Sequence, residues 1–324
     1  MNPKFSVILL TTLIGAGQGL FIAVFAVEVA ALFNWLPLPI RPWFFFYGAL
    51  TAFAFTAAGL VASFFHLGRP ARAWRSAAKW RTSWLSREVI VVPAFMAIAL
   101  LYALAHFLGW NGTYGAAPES DTDPTLLLGA AGTALAFALY VCTGMIYACL
   151  PFLREWATPL TVINYTLLGL ASGFTLAAAA ALASGLVLRF LATTALVLTA
   201  LAFVGRAASL YRNARLRPKS SLQTAIGVKH PTIVQKSQGF VGGSFNTREF
   251  FHGRAATTLR SVKWLFLLCT FVVPAAALVA GLAGAPRIAF AIAFVVQYLG
   301  LLAERWYFFA QANHPQNLYY QAVA

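Results

Sequence analysis

Residues 5–33 read FSVILLTTLIGAGQGLFIAVFAVEVAALF, a long apolar run in which Glu28 is the only charged side chain. A helix needs roughly 20 mostly apolar residues to cross a hydrocarbon layer about 30 Å thick. The run is too long for the core of a signal peptide and lacks a cleavage site, so we expect it to remain as the first span. Seven similar runs lie at residues 44–66, 88–109, 125–149, 160–184, 187–206, 263–283 and 287–310. The sequence therefore predicts a single-domain, all-α integral membrane protein with eight transmembrane helices.

Basic residues crowd the loops on one side of these spans. If all eight runs cross the membrane, both termini and the loops at 67–87, 150–159 and 207–262 share one face. That face carries 20 of the 23 basic residues. Because lysine and arginine are enriched in cytoplasmic loops, we expect both termini to be cytoplasmic. The long loop between helices six and seven should lie on the same side.

The overall composition agrees with a membrane protein. The chain is 60% hydrophobic and 10% charged, which excludes an ordinary soluble domain and a disordered chain. Its net charge of +15 would suggest nucleic acid in a soluble protein. Here the positive-inside bias explains that charge, with anionic lipid headgroups or an acidic partner as further causes. We therefore expect a lipid membrane and no nucleic acid as the environment of this surface.

The three cysteines fall inside predicted spans. Cys142, Cys149 and Cys269 show no C-x-x-C pattern and no Cys/His spacing typical of metal sites. Small apolar packing residues are the simpler interpretation. We expect no metal site and no iron–sulfur cluster held by this chain.

Glycines and prolines within the spans predict local features of helix packing. Gly15, Gly17 and Gly19 occupy the first span, where small residues allow two helices to approach closely. Pro93 and Pro274 lie inside the third and seventh spans and predict kinks there.

Two segments on the basic face differ from simple connectors. Residues 67–87 place Trp74, Trp80 and Trp84 among six cations, a pattern typical of a segment anchored in the headgroup layer. The 207–262 loop is long and contains several phenylalanines and glycines. Long loops are usually functional or disordered, and the aromatic content favours a docking surface.

His66 and Glu88 are the most informative ionisable residues. His66 closes the second span, Glu88 opens the third, and a loop on the basic face joins the two spans. The two side chains could therefore meet at one membrane depth. An imidazole and a carboxylate can hydrogen-bond a quinone carbonyl and move the accompanying proton. A structural polar cap with an Arg–Glu pair explains the same residues, and the sequence leaves both hypotheses open.

A haem site is not indicated. A transmembrane haem needs two histidines at similar depth, and His106 lies eighteen residues after Glu88. At 1.5 Å per residue this separation is about 27 Å, so His106 cannot share an iron with His66. We expect His106 to be a polar residue at the outer interface.

Four other polar residues are harder to interpret. Glu28 lies toward the outer end of the first span without an obvious partner, and Gln18 lies deeper on the same helix. A water path or pairing with another helix would explain either. Glu304 and Arg305 should return to the basic face and neutralise each other.

The most specific motif spans residues 64–88. Residues 64–70 (FFHLGRP), 73–75 (AWR) and 82–88 (TSWLSRE) resemble the membrane anchor subunit family of dimethyl sulfoxide reductase. The resemblance extends over the whole chain and its eight spans.

Within that family, three further segments resemble the anchors of sulfite-oxidising complexes. They are residues 5–12, 223–231 and 242–252.

The family resemblance implies a quinone-binding subunit without its own haem, in the inner membrane of a bacterium. Such a subunit exchanges electrons with a four-cluster ferredoxin-like iron–sulfur subunit, which serves a molybdopterin catalytic subunit. The family's quinone-site histidine and glutamate correspond to His66 and Glu88. The full set of quinone-site candidates is His66, Arg69, Glu88, Trp84, Arg87 and Gln18. The candidates for partner docking are Arg72, Arg75, Arg248, Phe250, Phe251 and His252.

The basic face also bears on the direction of electron flow. Sulfite-oxidising relatives hold their catalytic subunits in the cytoplasm, whereas dimethyl sulfoxide reductases generally hold theirs outside. Charge bias therefore favours sulfite oxidation and quinone reduction. Two alternatives are an anchor that oxidises quinol for a dimethyl sulfoxide or polysulfide reductase, and a secondary transporter, which would need a site at the bilayer midplane.

Overall fold

Long α-helices dominate the structure, a computed structural model that describes residues 1–36, 40–110, 123–181, 185–218, 220–234, 236 and 249–319. This part of the chain contains no β-strand. Eight helices are long and apolar enough to cross a membrane, which confirms the predicted number. They are α1 Phe5–Leu32, α2 Pro42–Phe64, α3 Trp84–Leu108, α4 Pro124–Ala148, α5 Pro159–Ala180, α6 Gly185–Ala214, α7 Ala256–Leu282 and α8 Ile288–Ala310.

Several helices extend beyond the predicted spans. Helix α3 begins at Trp84 rather than at residue 88, because Ser83 caps it by accepting a hydrogen bond from the Ser86 amide at 3.3 Å. Helix α6 continues to Ala214, and α7 begins at Ala256. Hydropathy detects the segment that suits the hydrocarbon, whereas backbone hydrogen bonding continues a helix into water. The loop after α6 is therefore shorter than the predicted 207–262.

Helix α1 is the central helix of the bundle and packs against α2, α4, α5 and α8. A Cβ atom added to Gly17 would lie 2.8 Å from the Ala52 carbonyl oxygen on α2. One added to Gly19 would lie 2.2 Å from the Gly169 carbonyl oxygen on α5. These backbones touch only because the side chains are missing, which confirms the predicted close approach.

Both ends of the described chain meet at one end of the bundle, which we call the terminal face. The Met1 amino group donates to the Ala312 carbonyl at 2.9 Å. Glu249, which precedes α7, forms a 2.9 Å salt bridge with Lys4. Its carbonyl also accepts from the Asn2 amide at 2.8 Å. The N-terminus, the end of α8 and part of the loop before α7 thus lie together.

The two prolines inside spans have different effects. Helix α3 continues through Pro93 without interruption. In α7 a π-helical turn, Leu268–Val272, comes just before Pro274. Proline has no N–H to bond the carbonyl four residues earlier, which belongs to Thr270. Gln297 of α8 donates its side-chain amide to that carbonyl at 3.3 Å, so a neighbouring helix satisfies the freed group.

Glu28 acquires its partners from α3 and α4, at the end of the bundle opposite the terminal face. Its carboxylate accepts 2.6 Å hydrogen bonds from the hydroxyls of Tyr102 and Thr125. His106 Nε2 lies 3.4 Å from the same carboxylate. His106 lies in the last turn of α3 and is 2% exposed, so it is buried between helices. Proximity to a buried carboxylate explains why a histidine is tolerated here.

We predict that Gly19→Ala destabilises the fold and that Gly15→Ala does not. The added methyl at Gly19 would overlap the α5 backbone, and overpacking of this kind costs roughly 1–3 kcal/mol. At Gly15 the nearest atom to a new Cβ is the Gly169 Cα at 3.7 Å, an ordinary contact. Thermal unfolding in mild detergent should show a lower midpoint for Gly19→Ala alone. Equal midpoints for the two variants would contradict the packing described for α1 and α5.

Candidate functional site

Glu88 lies in the first two turns of α3 and points to a cavity between helices. Its Oε1 atom accepts a 2.5 Å hydrogen bond from the Thr143 hydroxyl of α4. The residue is half-buried. We call the space beside it the Glu88 cavity. It is lined by Leu10, Thr11, Thr12, Ile14, Gly15, Gln18, Glu88, Tyr140, Thr143, Tyr165, Leu168, Gly169, Ser172, Leu301 and Arg305.

Gln18 lines the same cavity from α1. Its side chain is 1% exposed, and its Nε2 atom has no hydrogen-bond partner among the residues that the structure describes. A buried amide donor without a partner is costly and indicates that something else binds there. The structure thus brings together Gln18 and Glu88, two of the six residues predicted for the quinone site.

His66 lies outside the lining of this cavity. It follows α2 in a turn, is half-buried, and has a buried Nδ1 atom without a hydrogen-bond partner in the described part of the chain. Burial, and then the positive charge of Lys4, lowers the pKa of His66 below its ordinary value. The imidazole is therefore neutral at pH 7 and can accept a hydrogen bond. Its nearness to Lys4 places it beside the start of α1.

The remaining predicted site residues lie in the loop before α3 or in its first turns. Arg87 donates 2.9 Å hydrogen bonds to the carbonyls of Trp80 and Arg81. Its guanidinium lies 4.1 Å from the centroid of the Trp84 ring. Arg69 is exposed before a 3₁₀ helix, Pro70–Lys79. Arg87 therefore orders this loop, and Glu88 takes Thr143 as its partner instead.

A buried ionic cluster between α6 and α8 consists of Arg206, Glu304 and Arg305. The sequence did not predict that Arg206 is buried. Glu304 lies between two arginines, with Arg206 Nε and Arg305 Nε each 2.7 Å from a different carboxylate oxygen. The three side chains are at most 4% exposed. The Arg305 guanidinium also lies 3.9 Å from the centroid of the Tyr165 ring. The sixth span was predicted to end at residue 206, whereas α6 continues to Ala214. The prediction therefore placed Arg206 at the edge of a loop.

The predicted docking residues divide into two groups. Arg72 and Arg75 are exposed on the 3₁₀ helix Pro70–Lys79, which has no buried residue. Phe251 and His252 are half-buried. Phe250 is also half-buried, and its ring stacks on His314 with a centroid separation of 3.9 Å. Arg248 lies outside the described residues.

The Glu88 cavity combines apolar and polar chemistry. Leu10, Ile14, Leu168 and Leu301 supply apolar walls. An amide donor, a carboxyl group and a guanidinium supply polar groups on three different helices. This mixture of groups matches the chemistry of a molecule with an apolar ring and a few oxygens.

Comparison with known proteins identifies the family. The sequence profile described as DMSO reductase anchor subunit (DmsC) matches residues 1–280. The chain is also 53% identical over 329 residues to a sulfite dehydrogenase subunit of Allochromatium vinosum, covering 100% of both chains. These matches confirm the resemblance inferred from residues 64–88, and they cover most or all of the chain. The protein belongs to the DMSO reductase anchor subunit family.

Proposed function

We propose that this chain is the quinone-binding membrane anchor of a sulfite-oxidising complex. In this proposal it passes electrons from an iron–sulfur subunit, which receives them from a molybdopterin subunit, to the quinone pool. The observation that carries the proposal is the Glu88 cavity with its unpartnered Gln18 amide. Membership of the anchor family supports the anchor role. The 53% identity to a subunit of a sulfite dehydrogenase supports sulfite as the electron source.

The residues around the Glu88 cavity fit a quinone head. A bound quinone supplies two-electron, two-proton carrier chemistry. Gln18 Nε2 donates to a carbonyl oxygen, which satisfies the buried amide. The Glu88 carboxyl group, oriented by Thr143, holds the proton that follows the electrons. Arg305 contributes a fixed positive charge on the opposite wall, where it opposes the cost of negative charge.

The ligand enters from the side in this proposal. Glu88 lines the cavity and is only half-buried, and we place the entrance beside it, open to lipid. An isoprenoid tail can therefore remain in the bilayer while the head enters the cavity.

The terminal face is the proposed cytoplasmic face, as the charge bias predicts. The 3₁₀ helix Pro70–Lys79 lies there, with Trp74 at 71% exposure. Its tryptophans suit the headgroup layer, and its arginines suit an acidic docking partner. We propose the inner membrane of a bacterium as the location.

His66 has a separate role in the proposal. It lies outside the cavity lining and is neutral at pH 7, so it can accept a proton or a hydrogen bond near the cytoplasmic end. We assign it to the approach of the quinone head or to proton relay between Lys4 and the membrane interface. Its Nδ1 atom, which is buried and has no hydrogen-bond partner in the described part of the chain, supports this assignment.

We predict that Glu88→Gln lowers sulfite-dependent quinone reduction by roughly 10²-fold, the lower range for loss of acid–base catalysis. Gln18→Leu, which removes only a hydrogen-bond donor, should lower it roughly tenfold. Both variants should leave sulfite oxidation by an artificial dye unchanged, because the dye accepts electrons before they reach the anchor. His66→Arg should also lower quinone reduction. The measurement is the ratio of quinone activity to dye activity in the purified complex.

Glu28→Gln is the matched control for the loss of a carboxylate within a span. The hydroxyls of Tyr102 and Thr125, which donate to Glu28, can also accept hydrogen bonds. The N–H groups of a glutamine at position 28 would therefore find partners, so this variant should be tolerated. Normal quinone activity in Glu88→Gln and Gln18→Leu would exclude the Glu88 cavity. A loss restricted to His66→Arg would move the site to the turn after α2.

We predict that the double variant Arg72→Glu, Arg75→Glu weakens assembly with the iron–sulfur subunit at least roughly tenfold. Like charges across an interface cost several kcal/mol, and both arginines are exposed. Arg189→Glu is the control, since Arg189 is exposed on α6 at the other end of the bundle. The amount of iron–sulfur subunit that copurifies with the anchor reports the result. Equal recovery from both variants would remove this surface from the docking site.

A further inference from the structure

A second cavity lies between the Glu88 cavity and the terminal face. Its polar lining includes Glu155 from the loop between α4 and α5, Asn164 of α5, Ser209 of α6, and Gln311 just after α8. Tyr165 and Arg305 line both cavities. The two spaces are therefore neighbours, separated by the side chains that they share.

Several polar atoms in this second cavity lack protein partners. Asn164 Oδ1 and Gln311 Nε2 are buried and have no hydrogen-bond partner among the described residues. The other end of the Asn164 amide donates to the Ser209 hydroxyl at 2.7 Å, so the side chain is held in place. Unpartnered polar groups around a small polar space are typical of a buried water site. The space has room for about one water molecule.

Arg206, Arg305 and Glu304 together carry one excess positive charge beside this path. That charge opposes the passage of a proton, and a negative charge at Glu88 offsets it. Glu155 is half-buried at the other end, where it can exchange protons with water.

We infer that the second cavity is a proton path that connects the aqueous terminal face with Glu88. The inference rests on the proposed function, in which each quinone takes two electrons from the partner subunits and two protons, one for each carbonyl oxygen. Lipid cannot supply those protons, so they must come from water. The path runs from Glu155 and Gln311, through water held by Asn164, past the Tyr165 hydroxyl to Glu88. Glu304 and its arginines shape the path without carrying the proton.

The test uses the whole complex in lipid vesicles with a short-chain quinone. We expect Asn164→Leu and Gln311→Leu each to slow quinone reduction roughly tenfold. The solvent deuterium isotope effect should rise, and the affinity for a quinone-site inhibitor should stay unchanged. A small weak acid such as formic acid should restore part of the rate, which would not happen if the substitutions only disturbed packing. Gln311 is half-buried, so Gln311→Leu provides a second variant if Asn164→Leu fails to assemble.

Thr175→Val is the matched control on α5. Thr175 is buried, lines neither cavity, and bonds the Ala171 carbonyl of its own helix. A normal rate and isotope effect in both leucine variants would overturn the proton path, and so would weaker inhibitor binding. If Glu88→Gln is impaired while the leucine variants are normal, the proton path is refuted and the proposed quinone site is not. If Glu88→Gln is also normal, the proposed function fails with it.

Discussion

The cost of placing a charge in hydrocarbon constrains the interior of this bundle. An ionisable side chain within a membrane is expensive unless other groups neutralise or solvate it. Glu28 meets this requirement with two hydroxyl donors and lies beside His106. Glu304 meets it with two arginines at 2.7 Å. Both carboxylates hold helices together, because each of them joins residues from different parts of the chain.

Glu88 differs from those two carboxylates. It accepts its hydrogen bond from the neutral Thr143 hydroxyl, is half-buried, and lines a cavity. A neutral donor stabilises a carboxylate far less than an arginine does. Its proton affinity is therefore sensitive to what occupies the cavity. That sensitivity suits a group that holds and releases a proton during turnover.

The close packing of α1 explains how a cavity can exist at the centre of the bundle. Gly19 brings the backbone of α1 against that of α5. Gly15 and Gly169 lie on the same two helices and line the Glu88 cavity, and a Cβ added to Gly15 would have no atom closer than 3.7 Å. The Tyr140 hydroxyl donates to the Gly15 carbonyl at 2.8 Å and keeps this region ordered. The same small residues thus bring the helices together and leave room between them.

The predictable parts of the structure are those that depend on local sequence. Length and hydropathy were enough for the eight helices, and small residues predicted the contact at Gly19. The partners of Glu28 lie 74 and 97 residues away in the sequence, so no local pattern could identify them. Arg206 was missed because a polar residue at a helix end resembles the start of a loop. The sequence placed His66 and Glu88 near the same end of the bundle, but no local pattern could show that Glu88 lines a cavity whose lining lacks His66.

Photolabelling with an azido-substituted quinone tests the central claim most directly. The complex in its native membrane would be illuminated with the probe, and labelled peptides of this chain would be identified by mass spectrometry. We expect label on α1 near Gln18 or on α3 near Glu88, and excess unlabelled quinone should prevent it. If the label that excess quinone prevents were found only at the opposite end of the bundle, around Glu28 and Tyr102, the account would be contradicted.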